Sequence, residues 1–169
     1  RLDSRHRVFG TATIGGFIGQ QSSVLPMTVR AERTMTVPAT PERVWEFITD
    51  PDKRARPISV VTDWEIIDDT HANWSIELPI PVVSQTMTVK TEDVEQRRPE
   101  YARFVGRSKV MTVQGEHELE ETPDGGTKLT NRFIVDGKLP GVERFFKRNL
   151  DDEMQNLEQA LRDDLEVEV

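Results

Sequence analysis

The chain has 169 residues and carries 30 Asp and Glu against 22 Lys and Arg, a formal net charge of −8. This length predicts one domain, and the acid excess argues against a nucleic-acid partner, because neutralisation of phosphates supplies most of the affinity of nucleic-acid binders. The sequence contains no cysteine, which excludes disulfides, thiol nucleophiles and cysteine-ligated metals. His6, His71 and His117 have neither HExxH nor paired spacing, which argues against a histidine-rich metal centre and leaves a carboxylate-only site as the alternative. We expect no metal and no cofactor.

The first 26 residues are predicted to be separate from the domain. Residues 1–7 are basic and residues 8–19 are apolar, as in a secretory signal, but no small-x-small cleavage site follows them and twelve residues are too few to span a bilayer. A strand pattern begins directly after Met27. We therefore expect residues 1–26 to be an upstream or cloning-derived extension, residues 27–169 to be the domain, and the protein to be cytoplasmic.

The domain is predicted to begin with one strand and a short helix. Residues 29–37 alternate apolar with polar side chains, are rich in β-branched types and stop at Pro38, which predicts a strand. Thr40 is a typical N-cap for a helix whose first residue is Pro41, and Pro51 ends that helix.

Six further strands and one long helix complete the predicted fold. The predicted strands are 60–68, 71–78, 85–95, 101–107, 109–121 and 127–136. Each alternates apolar with polar residues and is followed by turn residues, so we expect an antiparallel meander. From Leu139 onward apolar residues recur every three or four positions over about 26 residues, which predicts a long amphipathic helix. The predicted class is α+β, with a seven-stranded curved antiparallel sheet gripping the long C-terminal helix and short helices after strand 1.

Two segments of the chain carry a resemblance to a known superfamily. VPATPERVWEFITDPDK (residues 37–53) and GEHELEETPDGGTKLTNRFIVDGKLPG (residues 115–141) resemble the opening and closing signatures of the START-like superfamily, also called the helix-grip or polyketide cyclase/lipid-transport group. The closing segment is similar to the branch related to the G-type subunit of carbon monoxide dehydrogenase. The resemblance covers residues 28–165. It implies a hydrophobic cavity rather than a particular reaction, because members include lipid and hormone carriers as well as aromatase/cyclases.

Three polar side chains fall on apolar, inward-facing strand positions. These are Arg33, His117 and Asn131, and the alternation of the strands places each beside apolar neighbours. A buried polar group without a partner costs about 1–3 kcal/mol, so we expect the three to meet the polar end of a ligand or to satisfy one another or the backbone. Arg33 has the further alternative of reaching water past the sheet edge. In an apolar cavity the pKa of His117 is expected to fall below about 6.5, leaving a neutral ring that donates to a ligand.

Two tryptophans complete the predicted ligand-binding set. Alternation turns Trp64 and Trp74 toward the concave side of the sheet. Indoles at such positions line the apolar wall of a pocket or fill an ordinary core.

Several other segments are expected at the surface. Glu116, Glu118 and Glu120 alternate outward, which favours a solvated strand face over a metal cluster. The acids of residues 151–153 are expected on the exposed sides of the C-terminal helix. The segment IELPIPVVS, residues 76–84, is expected to form an exposed apolar tip at the cavity mouth, because its prolines prevent regular pairing.

The leading functional hypothesis is the binding of a small hydrophobic ligand, such as a lipid, an isoprenoid or an aromatic polyketide-like molecule. One alternative is a cyclase/dehydratase-type enzyme that acts in the same cavity through His117 and Arg33. A binding role is preferred, since the sequence places no nucleophile or oxyanion donor beside His117. A second alternative is a membrane-associated accessory or assembly factor like the G-type subunit of carbon monoxide dehydrogenase, with a peripheral membrane or protein partner contacted by the loop around Leu78 to Val83.

Overall fold

A computed structural model describes residues 28–81, 83 and 85–166. Over these residues the chain forms seven strands and three helices. The strands are β1 (Thr28–Val37), β2 (Val61–Ile66), β3 (His71–Ile76), β4 (Met87–Arg97), β5 (Tyr101–Arg107), β6 (Met111–Glu121) and β7 (Thr127–Gly137). The helices are α1 (Pro41–Thr49), α2 (Pro51–Ala55) and α3 (Val142–Glu166). The predicted extension over residues 1–26 lies outside the described residues, so its separation from the domain stays a prediction.

The strands form one antiparallel sheet in the order β1-β7-β6-β5-β4-β3-β2. The sheet faces α3 on its inner side, and the predicted helix-grip fold is confirmed. The register sets Asn131 between two other predicted site residues, because it is the cross-strand partner of both Arg33 and His117. Trp64 is likewise the partner of Trp74.

The helix after β1 is interrupted at the proline that the sequence marks as its end. Asp50 ends α1 and caps α2, because its carboxylate accepts hydrogen bonds from the backbone N–H groups of Asp52 at 2.9 Å and Lys53 at 3.1 Å. Pro51 is then the first residue of α2, a position that needs no N–H donor. The pair of helices connects the end of β1 to the start of β2, which lie at opposite ends of the sheet.

Helix α3 is held against the sheet by its apolar side and by ion pairs at its C-terminal half. Phe146, Leu150 and Leu161 are among its buried residues. Arg43 of α1 lies 2.8 Å from Asp164 of α3. These contacts fix where the helix crosses the sheet and therefore where space is left between them.

The loop between β3 and β4 differs from its prediction. Leu78 and Val83 are buried, with exposed fractions of 5% and 8%, so the expectation of an exposed apolar tip is wrong for both. The chain folds back on itself here, since the N–H of Val83 donates to the carbonyl of Ile80 at 3.1 Å. Ile80 is half-buried and lies close to Gly141, just before α3. Leu78, Ile80 and Val83 thus pack against the rest of the core.

Candidate ligand-binding cavity

A cavity lies between the inner face of the sheet and α3. Its volume is about 50 Å³. Sixteen of the described residues line it, and fourteen of them are apolar, among them Val60, Val113, Phe133, Val135, Phe146 and Leu150. Pockets for drug-sized ligands typically measure about 300–1,000 Å³. The cavity is therefore a narrow apolar space that widens only when its lining side chains move.

Small residues on β5 and β6 let aromatic rings pack beside this space. A Cβ placed on Gly115 of β6 would lie 2.2 Å from the Phe104 ring, so only glycine allows the ring to lie flat against the strand. Phe104 in turn contacts Trp74 and Phe133, with ring centroids 5.8 Å and 6.0 Å away. Trp74 and Phe133 line the cavity. Phe104 packs against both rings and does not itself line the cavity.

Arg54 of α2 is a charged residue on the cavity wall. Its Nη1 lies 2.6 Å from a carboxylate oxygen of Asp93, and its Nε donates to the carbonyl of Ile48 at 3.2 Å. Its guanidinium carbon is 4.9 Å from the centroid of the Phe104 ring. The charge is thus already neutralised and stacked, so Arg54 presents little polarity to an apolar ligand.

Glu153 of α3 is the second charged residue of the cavity wall, and the sequence does not predict it there. The prediction for residues 151–153 was the exposed side of the helix, which is wrong for Glu153 because only 8% of the residue is exposed. Its carboxylate accepts hydrogen bonds from the backbone N–H of Ser59, at 2.8 Å, and from the Ser59 hydroxyl. Burial is tolerated because Ser59 supplies two donors. The position three residues after Leu150 and four before Leu157 is the sequence signal for a buried residue.

His117 and Asn131 form a buried polar pair. Only 1% of each residue is exposed, and the two side chains are joined at 2.7 Å between His117 Nδ1 and Asn131 Oδ1. The amide oxygen accepts, so Nδ1 carries the proton and Nε2 is left as an acceptor. Among the described residues Nε2 has no hydrogen-bond partner. The expectation that the ring donates to a ligand is therefore reversed, because its unpaired nitrogen accepts.

Burial controls the charge of His117. Desolvation lowers its pKa from 6.5 to about 4 and outweighs the hydrogen bond to Asn131, which raises the pKa; the positive charge of Arg54 lowers it further. The predicted neutral ring is confirmed. His117 is not part of the cavity wall, because the ring of Phe133, at 6.1 Å between centroids, lies against it and lines the cavity instead.

The two remaining predicted site residues lie away from the cavity wall. Arg33 reaches α3, where its Nε is 2.9 Å from Glu158 and its Nη1 is 3.1 Å from Asp151. The Arg33 hydrogen bond lowers the pKa of Asp151. Trp64 is half-buried and donates from Nε1 to Asp52 at 2.7 Å. Of the five predicted site residues, Trp74 lines the cavity, while ligand binding by all five stays a prediction.

The outer face of the sheet carries the predicted acidic strand. Arg132 of β7 lies 2.7 Å from Glu32, 3.1 Å from Glu118 and 3.9 Å from Glu116. These acids are partners of an arginine rather than ligands of a metal. In the part of the chain that the structure describes, no group of three or more His, Asp or Glu is placed to hold a metal ion. No described helix is both long enough and apolar enough to cross a membrane.

Comparison with known proteins agrees with this architecture. Residues 28–162 match the model of the family described as polyketide cyclase/dehydrase and lipid transport. A comparison with curated protein sequences found no match.

Solved structures with the same fold come from several bacteria. A START superfamily protein from Mycobacterium smegmatis aligns with a TM-score of 0.67 and 14% identity over 83% of this chain and 99% of its own. A conserved protein from Geobacillus kaustophilus aligns with a TM-score of 0.66 and 15% identity, over 80% of this chain and 94% of its own. The Zhui aromatase/cyclase from Streptomyces sp. R1128 aligns with a TM-score of 0.58 and 16% identity, over 80% of this chain and 94% of its own. Identities this low show a common fold, and the branch related to carbon monoxide dehydrogenase stays a prediction.

Proposed function

The chain belongs to the polyketide cyclase/dehydrase and lipid transport family, and from that premise we propose that it binds a small hydrophobic ligand, of lipid, isoprenoid or aromatic polyketide type, between the sheet and α3. The observation that carries the proposal is the apolar wall of the cavity. Fourteen of the sixteen described lining residues are apolar, and both charged ones already have partners. Such a wall gains from contact with hydrocarbon, and its two charged groups are already bound to protein partners.

The loop between α2 and β2 forms one side of the cavity. Ile58 and Val60 line the space, and Ser59 between them is bound to Glu153 on α3. Because the open volume is small, a ligand larger than a few atoms must displace side chains at its point of entry. This loop is a short connection held to α3 by the Ser59–Glu153 contact, so entry beside it would require that contact to break.

Cyclase-type catalysis is the second candidate, and the unpaired Nε2 of His117 favours it. A neutral imidazole nitrogen beside an apolar cavity is able to accept a proton from a substrate. Two observations make it the weaker candidate. A base with a pKa of about 4 holds a proton poorly at neutral pH, and the Phe133 ring lies between His117 and the open space.

Binding of a neutral fluorescent probe, N-phenyl-1-naphthylamine, tests the proposal. Wild-type protein is expected to bind the probe saturably, with one site per chain. Ile58→Trp fills the cavity from its edge and is expected to weaken binding by at least about tenfold. The matched control is Ile66→Trp, because Ile66 is 45% exposed on β2 and adds the same bulk outside the cavity.

The affinities of Ile58→Trp and Ile66→Trp for the probe are compared once circular dichroism has shown that both variants are folded. Equal affinity in Ile58→Trp and Ile66→Trp, or no saturable binding by wild type, contradicts the proposal. Turnover of a polyketide-like substrate that is lost in His117→Gln would instead establish the cyclase alternative.

A further inference from the structure

The two ends of the sheet carry opposite charge. At one end lie the β3–β4 loop, the β5–β6 loop, the β7–α3 connection and the first nine residues of α3, through Leu150. These segments hold five cations, Lys109, Lys138, Arg144, Lys147 and Arg148, and two acids, Glu77 and Glu143. We call the five cations the basic end. The loops at the opposite end, residues 67–70, 98–100 and 122–126, hold four acids and one arginine. A chain of net charge −8 thus presents a local excess of positive charge at one end.

The cations of the basic end have no carboxylate partners within the described structure. All five are exposed, and the ion pairs found among described residues involve none of them. Lys138 donates to the backbone carbonyl of Ser108 at 2.9 Å, which leaves its charge uncompensated. Elsewhere arginines are commonly paired, as Arg33, Arg54 and Arg132 are. Exposed charges that are not neutralised internally create a field that attracts anions.

The cavity lies in the half of the molecule next to the basic end. Its wall includes Met111, where β6 begins, Val135 near the end of β7, and Phe146 in the second turn of α3. A surface that docks against this end is therefore the surface nearest to the cavity.

We propose that the basic end docks on the surface of an anionic lipid bilayer. Its cations are spread over three separate segments, and only Arg144 and Arg148 line a common groove. This spread suits a broad plane of negative charge better than a single acidic peptide. Among the described residues of the neighbouring loop, Leu78 and Val83 are buried and Ile80 is half-buried, so the contact that we propose is electrostatic. The negative charge of the rest of the chain orients the protein with this end toward the lipid.

Co-sedimentation with lipid vesicles tests the proposal on the wild-type chain. Binding is expected to vesicles of phosphatidylcholine with about one third phosphatidylglycerol at about 0.1 M salt, and neither to pure phosphatidylcholine nor at about 0.5 M salt. Arg148→Glu should weaken binding by about tenfold, since each cation near an anionic surface adds about fivefold to the affinity and reversal also introduces repulsion.

The matched control is Arg162→Glu. Arg162 is exposed on the same helix, fourteen residues further along and among acids, and its reversal changes the net charge equally. We expect vesicle binding to stay within about twofold of wild type. Equal losses in Arg148→Glu and Arg162→Glu, or wild-type binding to neutral vesicles as strongly as to anionic ones, would overturn the proposal. Retention on immobilised polyglutamate without vesicle binding would also overturn it and would point to an acidic protein partner.

Probe binding and vesicle binding test the two proposals independently. Arg148 is not part of the cavity wall, so Arg148→Glu should bind N-phenyl-1-naphthylamine within about twofold of wild type. Loss of vesicle binding with intact probe binding identifies docking alone as the affected property.

Discussion

The space between the sheet and α3 has two halves that are built differently. In one half, α1 inserts Trp45, Phe47 and Ile48 beside the last turns of α3, and the space is filled. In the other half the short helix α2 contributes only Arg54 to the wall, and valines such as Val113 and Val135 line the cavity beside α3. The concave side of the sheet is therefore filled where a second helix adds large apolar side chains, and a cavity is left where α2 adds none.

Truncation of one leucine in each half gives the largest expected difference. Leu161 is 1% exposed and lies in the filled half, whereas Leu157 borders the cavity. Leu161→Ala should lower the free energy of unfolding by about 4 kcal/mol and Leu157→Ala by about 2 kcal/mol, both within the range for buried leucines. Leu157 loses less because it already has fewer packed neighbours. Urea denaturation measures both, and a larger loss for Leu157→Ala would break the distinction between the halves.

The buried His117–Asn131 pair predicts a dependence of stability on pH. The pKa of His117 falls from 6.5 to about 4 on folding, so the unfolded chain binds more protons between these values and folding is disfavoured as the pH falls through that window. Above about pH 6.5 His117 is neutral in both states and costs no stability. The loss of unfolding free energy grows to about 3 kcal/mol by pH 4.

A titration of stability in wild type and His117→Gln isolates this contribution. The difference in unfolding free energy between the two proteins should change across the window from about pH 4 to about pH 6.5, with wild type losing more stability on acidification. Parallel curves across that window would mean that His117 is hydrated in the folded protein.

Enlarging a valine gives the smallest expected effect and the sharpest contrast. Val37 and Val135 are each 1% exposed, but only Val135 faces the cavity. Val37→Ile should overpack the filled half and destabilise the protein by about 1–3 kcal/mol, whereas Val135→Ile has room for the added methyl group and should stay within about 1 kcal/mol of wild type. Thermal unfolding of the two variants checks this, and equal losses would show that the cavity wall is as tightly packed as the rest of the core.

The fold was predictable because its signals are local. Strand alternation and helical spacing placed every strand and α3 within a few residues of their observed ends, and turn residues marked the breaks between strands. The chain also carries two family-like segments, which coincide with α1–α2 and with β6–β7. Each of these signals depends on neighbours within a dozen residues or so.

The cavity was less predictable because its wall depends on how distant segments meet. Arg33 lies on an inward strand position, as predicted, yet its guanidinium turns to Glu158, 125 residues away. Glu153 resembles an exposed acid in the sequence, and its burial depends on donors from Ser59, 94 residues away. Alternation assigns a side chain to a face of the sheet, but it does not specify which part of that face another helix covers.

Methyl NMR of valine-labelled protein, titrated with N-phenyl-1-naphthylamine, locates the bound probe. We expect chemical-shift changes in the cavity valines Val60, Val89, Val113 and Val135, and none in Val37 and Val44 of the filled half. Changes confined to surface residues such as Val94, or changes spread equally over both halves, would contradict a binding site between the sheet and α3.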